Sequence, residues 1–245
     1  MSHRLLTASV ALNLVFCALF LGGWLGANLE TSFNPTIDRP ILSKTSNVHP
    51  LASVIGSVDL GDRVFVAPFA SIRGDEGQDI HIGHDSNVQD GVVVHGLETF
   101  ESGKEVSENE VEVDRRKYSV HIGQRVSLAH QSQVHGPARV GDDTFIGMQA
   151  LVFRSEVGDH VVVEPGAKII GVTIASNRYV PTMAVITKQS DADALPVITD
   201  QYPYRSLNHA IVHVNTQFAD PQTAHRLSRQ RIVAPPIATL TLPNP

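Results

Sequence analysis

The chain has 245 residues, of which 42% are hydrophobic and 18% charged, and its formal net charge is -6. A chain of this length can bury one sizeable core, and its negative balance argues against a nucleic-acid-binding surface. Cys17 is the only cysteine, which excludes an intrachain disulfide and a cysteine-based metal site. Glycine and proline together outnumber the aromatic residues, which favours many tight corners over a large aromatic core.

The N-terminus has the pattern of a targeting segment. "MSHR" is a short positive region, and the stretch from Leu5 to Leu25 is apolar apart from three polar residues. The small residues of "LGAN" allow cleavage after Ala27, while an apolar run of roughly 20 residues also spans a bilayer if it is retained. We therefore expect residues 1–27 to be a signal peptide or a membrane anchor. The protein is expected to be exported, to the periplasm or another extracytoplasmic compartment, and to meet a membrane only if this segment stays uncleaved.

A six-residue repeat follows this segment. Each repeat has an aliphatic residue at its first position and a small or β-branched residue four places later. The aliphatic positions are Val48, Val54, Leu60, Val66, Ile72, Ile82, Val88, Val94, Ile122, Leu128, Val134, Val140, Ile146 and Val152, and after a one-residue slip Val157, Val163 and Ile169. This period predicts a parallel β-helix in which three sides form a coil of about 18 residues. A β-sandwich would instead show alternation with a period of two.

Two histidines lie five residues apart in "VSLAHQSQVHG", at His130 and His135. Neither a helix face nor a strand face brings residues with this spacing together. In the repeat, His95 and His135 each follow an aliphatic position, so we expect them to project from similar points on neighbouring coils. His130 belongs to the preceding side, so a pair from one subunit could be joined by the third histidine from the next. Three histidines with an open fourth position are typical of a catalytic zinc site.

Several polar motifs carry a family resemblance. "SIRGDEG", "SNVQDGVVVHGLE" and "SLAHQSQVHGPARVGDDTFIGMQA" resemble the gamma-class carbonic anhydrases, over roughly residues 33–215. The resemblance implies a homotrimer of left-handed β-helices with a metal at each subunit interface, Zn²⁺ or alternatively Fe²⁺ or Co²⁺. His95 and His135 of one subunit and His130 of its neighbour would bind it. The implied reaction is reversible hydration of CO2 to bicarbonate and a proton by metal-bound hydroxide.

The same resemblance assigns roles to other polar residues. Glu76 and Gln89 would hydrogen-bond the reacting water and bicarbonate, Glu98 would be the proton shuttle, and Asn215 would lie near the CO2 site. The supporting residues implied are Arg73, Asp75, Asn87, Asp90 and His213. Phe33 and His213 depart from the family pattern, which has tryptophan and tyrosine there, so the details of the substrate pocket are expected to differ.

The chain leaves the repeat beyond Ile174. "SDADALP" predicts a short helical turn from Ser190, and "PYRSLNHAIVHVNTQFA" predicts a helix packed along the outside of the β-helix. Its apolar face would consist of Leu207, Ile211, Val214 and Phe218. The predicted division is a leader at 1–27, an N-terminal arm at 28–47, the β-helix at 48–188 with an acidic insertion at 98–118, a C-terminal α-helical segment at 189–219 and a tail at 220–245.

Two other functions remain open from the sequence. A hexapeptide acyltransferase shares the β-helix but normally carries one catalytic histidine, which leaves three register-matched histidines unexplained. A catalytically silent scaffold member of the gamma family would share the fold as well. The insertion argues against it, because it begins at Glu98, carries six glutamates before Asp114 and is suited, as a flexible acidic loop, to proton transfer.

Overall fold

Short parallel strands wind into a left-handed β-helix with three flat faces, in a computed structural model that describes residues 24–220. Face A contains eight strands: β1 (Trp24–Gly26), β4 (Ser53–Gly56), β7 (Ser71–Gly74), β10 (Val93–His95), β17 (Gln133–His135), β20 (Leu151–Phe153), β23 (Lys168–Ile170) and β26 (Val185–Ile186). Face B contains seven: β2 (Ile41–Leu42), β5 (Val58–Leu60), β8 (Ile80–Ile82), β15 (Val120–Ile122), β18 (Ala138–Val140), β21 (Glu156–Val157) and β24 (Thr173–Ile174). Face C contains seven: β3 (Asn47–Val48), β6 (Phe65–Val66), β9 (Asn87–Val88), β16 (Ser127–Leu128), β19 (Phe145–Ile146), β22 (Val162–Val163) and β25 (Tyr179–Val180).

The aliphatic position of each repeat points into the β-helix and forms its core. On face A, Val94, Val134 and Val152 pair in register on successive coils and are fully buried. The step from Val134 to Val152 is 18 residues and the step from Val152 to Ile169 is 17, which confirms the slip in the repeat. Each such side chain contributes about 1.5–3 kcal/mol through burial. The β-helix predicted from the six-residue period is confirmed.

The acidic insertion is built from two β-hairpins and is not an irregular flexible loop. The first pairs β11 (Phe100–Glu101) with β12 (Lys104–Glu105), and the second pairs β13 (Val111–Val113) with β14 (Arg116–Tyr118). A 3₁₀ turn at Ser107–Asn109 joins them. Both hairpins close with two residues at positive φ, the geometry that matches the twist of paired strands. Alternation over strands of two or three residues is too short to be read from sequence.

Two helices follow the β-helix. The first, α1 (Gln189–Asp193), lies where "SDADALP" predicts a helical turn, and the second, α2 (Leu207–Ala219), packs on face C. The ring of Phe218 lies 5.4 Å from that of Phe65, and Asn47 Nδ2 donates to the Phe218 carbonyl at 2.8 Å. Residues 203–206 form a turn, so the helix begins later than the sequence predicts.

The predicted leader and tail lie almost entirely outside the described residues. Residues 24–27 of the leader are described, and Trp24–Gly26 form β1, which pairs with β4 at the N-terminal end of face A. Within residues 24–220, no helix has the length and apolar character needed to cross a bilayer.

Candidate metal centre

Two histidines face each other on face A. His95 on β10 and His135 on β17 are in register on adjacent strands, and both point outward because Val94 and Val134 point into the core. His95 Nδ1 lies 3.4 Å from His135 Nε2, and the rings are perpendicular with centroids 5.1 Å apart. The register therefore produces the pair that the sequence predicts.

The other ring nitrogens of this pair have oxygen partners. His135 Nδ1 lies 3.3 Å from the Gly136 carbonyl, and His95 Nε2 lies 3.1 Å from Asp75 Oδ1. A proton on each of these nitrogens leaves the two facing nitrogens free to bind a metal. Zinc bonded tetrahedrally at about 2.0–2.1 Å separates two ligand nitrogens by about 3.3–3.4 Å, so the observed spacing fits one ion. Burial lowers the pKa of His135, which favours the neutral, metal-binding form.

A second cluster shares one of these histidines. Ligand atoms of Asp75, Glu76 and His95 lie within 4.8 Å of one another. The guanidinium of Arg73 lies in the same cluster, with Nε donating to Asp75 Oδ2 at 3.0 Å and Nη2 3.2 Å from His95 Nε2. Because this positive charge repels a bound cation, the side of His95 that faces His135 is the better metal position. Asp75 then orients His95.

The pKa of Asp75 agrees with this role. Its burial acts to raise the pKa, but hydrogen bonds from His95 and Arg73 outweigh that effect and lower it. Asp75 is therefore an ionised acceptor at neutral pH. The backbone between Arg73 and Asp75 depends on Gly74, because a Cβ added there would lie 2.1 Å from the Ser57 carbonyl oxygen.

The third predicted ligand lies elsewhere on the chain. His130 follows β16 and occupies the corner where face C turns into face A. Its Nδ1 lies 3.1 Å from Asp90 Oδ2, and its side chain is 57% exposed. A carboxylate that binds Nδ1 orients the ring and leaves Nε2 available. His130 is thus oriented for a ligand outside its own coil.

Polar residues near His130 form a separate hydrogen-bonded group on face C. Asn87 Nδ2 donates to Ser127 Oγ at 2.9 Å, and its Oδ1 accepts from Gln89 Nε2 at 3.0 Å. Gln89 and Asp90 line a groove of about 530 Å³ between face C and α2, together with His130 and Asn215. The apolar residues of this groove include Phe65, Phe145, Met148, Val214 and Phe218.

The predicted site residues thus form two half-sites. The face A half-site contains Arg73, Asp75, Glu76, His95 and His135, and the face C half-site contains Asn87, Gln89, Asp90, His130 and Asn215. They lie at opposite edges of face A, because the chain crosses this face between His130 and His135. The strand between His130 and His135 rises about 3.3 Å per residue, which separates the two side chains. They are too far apart to bind the same ion, whose ligands must lie about 2 Å from it. A single chain does not assemble all three ligands.

Glu98 and Phe33 extend the face A half-site. With Glu76 they line a cleft of about 420 Å³ beside the first hairpin of the insertion, and Glu98 is exposed to solvent. His213 is less well placed: it lies on the exposed side of α2, with Nε2 3.4 Å from Gln217 Nε2, and is not among the residues lining the groove.

One neighbour of the metal-binding pair was missed in the sequence. The ring of Phe153 packs edge-on against His135, with centroids 5.5 Å apart. Phe153 pairs with His135 on the next strand of face A. It occupies the same position in the repeat, so the repeat register could have predicted that the two side chains are neighbours.

Comparisons with known proteins place this geometry among related chains. No family model matches the chain. It is 55% identical over 194 residues to "Carbonic anhydrase" of Methanosarcina thermophila, covering 79% of this chain and 78% of the relative. It is 40% identical over 185 residues to "Carboxysome assembly protein CcmM" of Nostoc sp., covering 76% of this chain but 32% of the relative. It is 33% identical over 154 residues to "Gamma carbonic anhydrase 2, mitochondrial" of Arabidopsis thaliana, covering 62% of this chain and 49% of the relative.

Among solved structures, a hexapeptide transferase family protein from Anaplasma phagocytophilum matches with a TM-score of 0.56. The two share 18% identity, and the match covers 74% of this chain and 92% of that one. Similarity at this level of identity demonstrates the shared β-helix alone.

Replacing His135 is expected to remove bound metal without unfolding the protein. In His135→Ala, bound zinc should fall from about one ion per chain to near zero, because the ion loses one of its imidazole ligands. Elemental analysis with far-UV circular dichroism measures both quantities. The control is His121→Ala, which disrupts the other histidine pair, His81 and His121 on face B, whose centroids are also 5.1 Å apart. Equal metal content in the two variants would contradict the assignment.

Proposed function

This chain belongs to the gamma-class carbonic anhydrases and is a carbonic anhydrase, and we propose that each of its active sites forms between two chains of a homotrimer. The reaction is reversible hydration of CO2 to bicarbonate and a proton. One observation carries the proposal: the His95/His135 pair and His130 lie on opposite edges of face A, and each is oriented outward by its own hydrogen bonds. A neighbouring chain can complete each half-site.

The donor set suits a divalent metal, Zn²⁺ with Fe²⁺ or Co²⁺ as alternatives. His95 and His135 of one chain and His130 of the partner subunit would hold it. When bound, a metal with three neutral imidazole ligands lowers the pKa of water to about 7 and so supplies hydroxide at neutral pH.

The face C half-site would bind and orient the substrate. Gln89 is 8% exposed and its Nε2 donates to Asn87, so its amide is held in one orientation. The remaining amide hydrogen and oxygen can bond the oxygens of water and bicarbonate. Phe65, Phe145 and Val214 supply an apolar surface in the same groove, which suits uncharged CO2. Asn215 also lines that groove.

The face A half-site would remove the proton. Glu76 Oε1 lies 3.5 Å from His95 Nε2, and Glu76 shares its cleft with Glu98. A proton released at the site can therefore pass to Glu98, whose exposed carboxylate can deliver it to buffer.

The trimer is supported by the apolar surface of face A. Val93 and Val185 are 37% and 62% exposed, and the partly buried Leu151, Phe153 and Ile170 lie on the strands between them. Face A of one chain and the groove on face C of another are different surfaces, so their contact is heterologous, and a threefold rotation would close it into a ring. Three such contacts would create three identical sites.

The other functions have less support. The assembly protein CcmM shares 40% identity over a region that is only 32% of its own length, and its role in assembly is that of the whole protein. The acyltransferase reading is supported by the β-helix alone, since the transferase-family structure shares 18% identity. Neither the scaffold function nor the acyltransferase function explains why the chain holds two separate half-sites with histidine ligands.

We also propose export, with an extracytoplasmic chain that begins at or before Trp24. Trp24–Gly26 pair with β4, and cleavage after Ala27 would remove this strand. Asn28 is 4% exposed, with Nδ2 donating to the Thr36 carbonyl at 2.7 Å and Oδ1 accepting from the Asp38 N–H at 2.6 Å. N-terminal sequencing of protein from the extracytoplasmic and membrane fractions tests this. A mature chain that starts at Asn28 would contradict it.

Mixed trimers should recover activity if sites form between chains. His130→Ala and His95→Ala are each expected to be inactive alone, because every site lacks a ligand. In a mixed trimer, some sites combine His95 and His135 of the first variant with His130 of the second. Co-expression with two affinity tags, followed by metal analysis and a CO2 hydration assay, should show a fraction of wild-type values. Doubly tagged trimers without metal or activity would overturn the interchain site.

Glu98→Ala should slow proton removal more than CO2 attack. We expect kcat at low buffer concentration to fall by about tenfold or more, since general acid–base groups contribute roughly 10²–10⁴-fold, while kcat/KM changes little. Added imidazole should restore part of kcat. Stopped-flow hydration assays over a series of buffer concentrations measure this, and an equal loss in both constants without rescue would show that Glu98 is structural.

A further inference from the structure

We propose that Asn109 is a positioning residue for Glu98, and that Thr99 joins the same segment to Glu76. The inference rests on the proposed proton path through Glu98. It concerns a contact that brings the 3₁₀ turn between the two hairpins back onto Glu98, the residue where the insertion begins.

Asn109 connects Glu98 to the β-helix. Its side chain is almost fully buried, with the residue 5% exposed, and Nδ2 donates to the Glu98 carbonyl at 2.8 Å. Its Oδ1 accepts from Arg154 Nη1 at 3.4 Å. Arg154 directly follows β20 on face A. The main chain of Glu98 is thereby held to a coil of the β-helix, through a residue 11 positions further along the sequence.

Thr99 provides the second connection. It is fully buried, and its N–H donates to the Glu76 carbonyl at 2.9 Å. Its Oγ1 accepts from the Gln78 N–H at 2.7 Å and can donate to the Glu76 carbonyl at 3.3 Å. Glu76 and Glu98, the two carboxylates of the proposed proton path, therefore share one hydrogen-bonded backbone frame.

The frame matters because the Glu98 side chain has no fixed partner of its own among the hydrogen bonds and ion pairs described for residues 24–220. Proton transfer requires the carboxylate to lie within hydrogen-bond reach, directly or through one water. A displacement of about 1 Å can lower a rate by up to about 10²-fold. Holding the main chain on both sides of the Glu98 side chain restricts its positions to the cleft beside Glu76.

Asn109→Asp tests the proposal. Aspartate preserves the shape and the acceptor for Arg154, but it removes the donor to Glu98 and places an acceptor against the carbonyl. We expect kcat at low buffer concentration to fall by about three- to tenfold, with kcat/KM within about twofold of wild type and with partial rescue by imidazole. Ser107→Ala is the control, because Ser107 lies in the same turn and is exposed. Its kinetic constants should equal those of wild type.

A double-mutant cycle separates positioning from general stability. In Glu98→Ala, the further change Asn109→Asp should cause no additional loss of kcat, because Asn109 acts through Glu98. Additive losses, equal losses in kcat and kcat/KM, or an unchanged kcat would each overturn the inference. If circular dichroism shows that Asn109→Asp does not fold, Thr99→Val is measured by the same criteria. An inactive wild-type enzyme would refute the proposed function itself, whereas an active wild type with an indistinguishable Asn109→Asp refutes only the positioning role.

Discussion

The stacking of one inward aliphatic side chain per repeat is the constraint on which the rest of this structure depends. Residues such as Val94 and Val134 are fully buried on successive coils, and this pairing sets the register of every neighbouring residue. Because side chains alternate across a strand, the next residue on each strand must point outward. His95 and His135 therefore face the same way at adjacent levels. The candidate metal-binding pair is a direct consequence of core packing.

The same constraint separates the third histidine from the pair. His130 lies at one edge of face A and His135 at the other, and the straight strand between them keeps their side chains apart. Each half-site is nevertheless preorganised: Asp75 and the Gly136 carbonyl orient the pair, while Asp90 orients His130. In the proposed site, catalysis is coupled to assembly, because each chain holds its side chains ready and the complete ligand set requires a second copy.

The insertion adds the proposed proton path through Glu98 to a rigid scaffold. Its two hairpins are joined to the β-helix through Asn109 and Thr99, and Lys117 forms an ion pair with Glu105 within the insertion. An acidic segment of this composition looks like a solvated loop when charge alone is considered. Buried hydrogen bonds between distant residues give it a defined shape, and the exposed Glu98 lies at the place where it leaves the scaffold.

The local periodicity of the sequence was sufficient to predict most of the fold. The six-residue spacing specifies inward and outward positions residue by residue, so the β-helix, the slip before Val157 and the His95/His135 pairing could all be read from the order of amino acids. The family resemblance supplied the roles of Glu76, Gln89 and Glu98, which are chemical and leave no periodic trace. Long-range contacts decided the rest: the hairpins of the insertion, the bond from Asn109 to Glu98, the later start of α2 and the strand at Trp24–Gly26. These features depend on which distant backbone and side-chain groups meet once the coils have stacked, and no spacing along the chain records that.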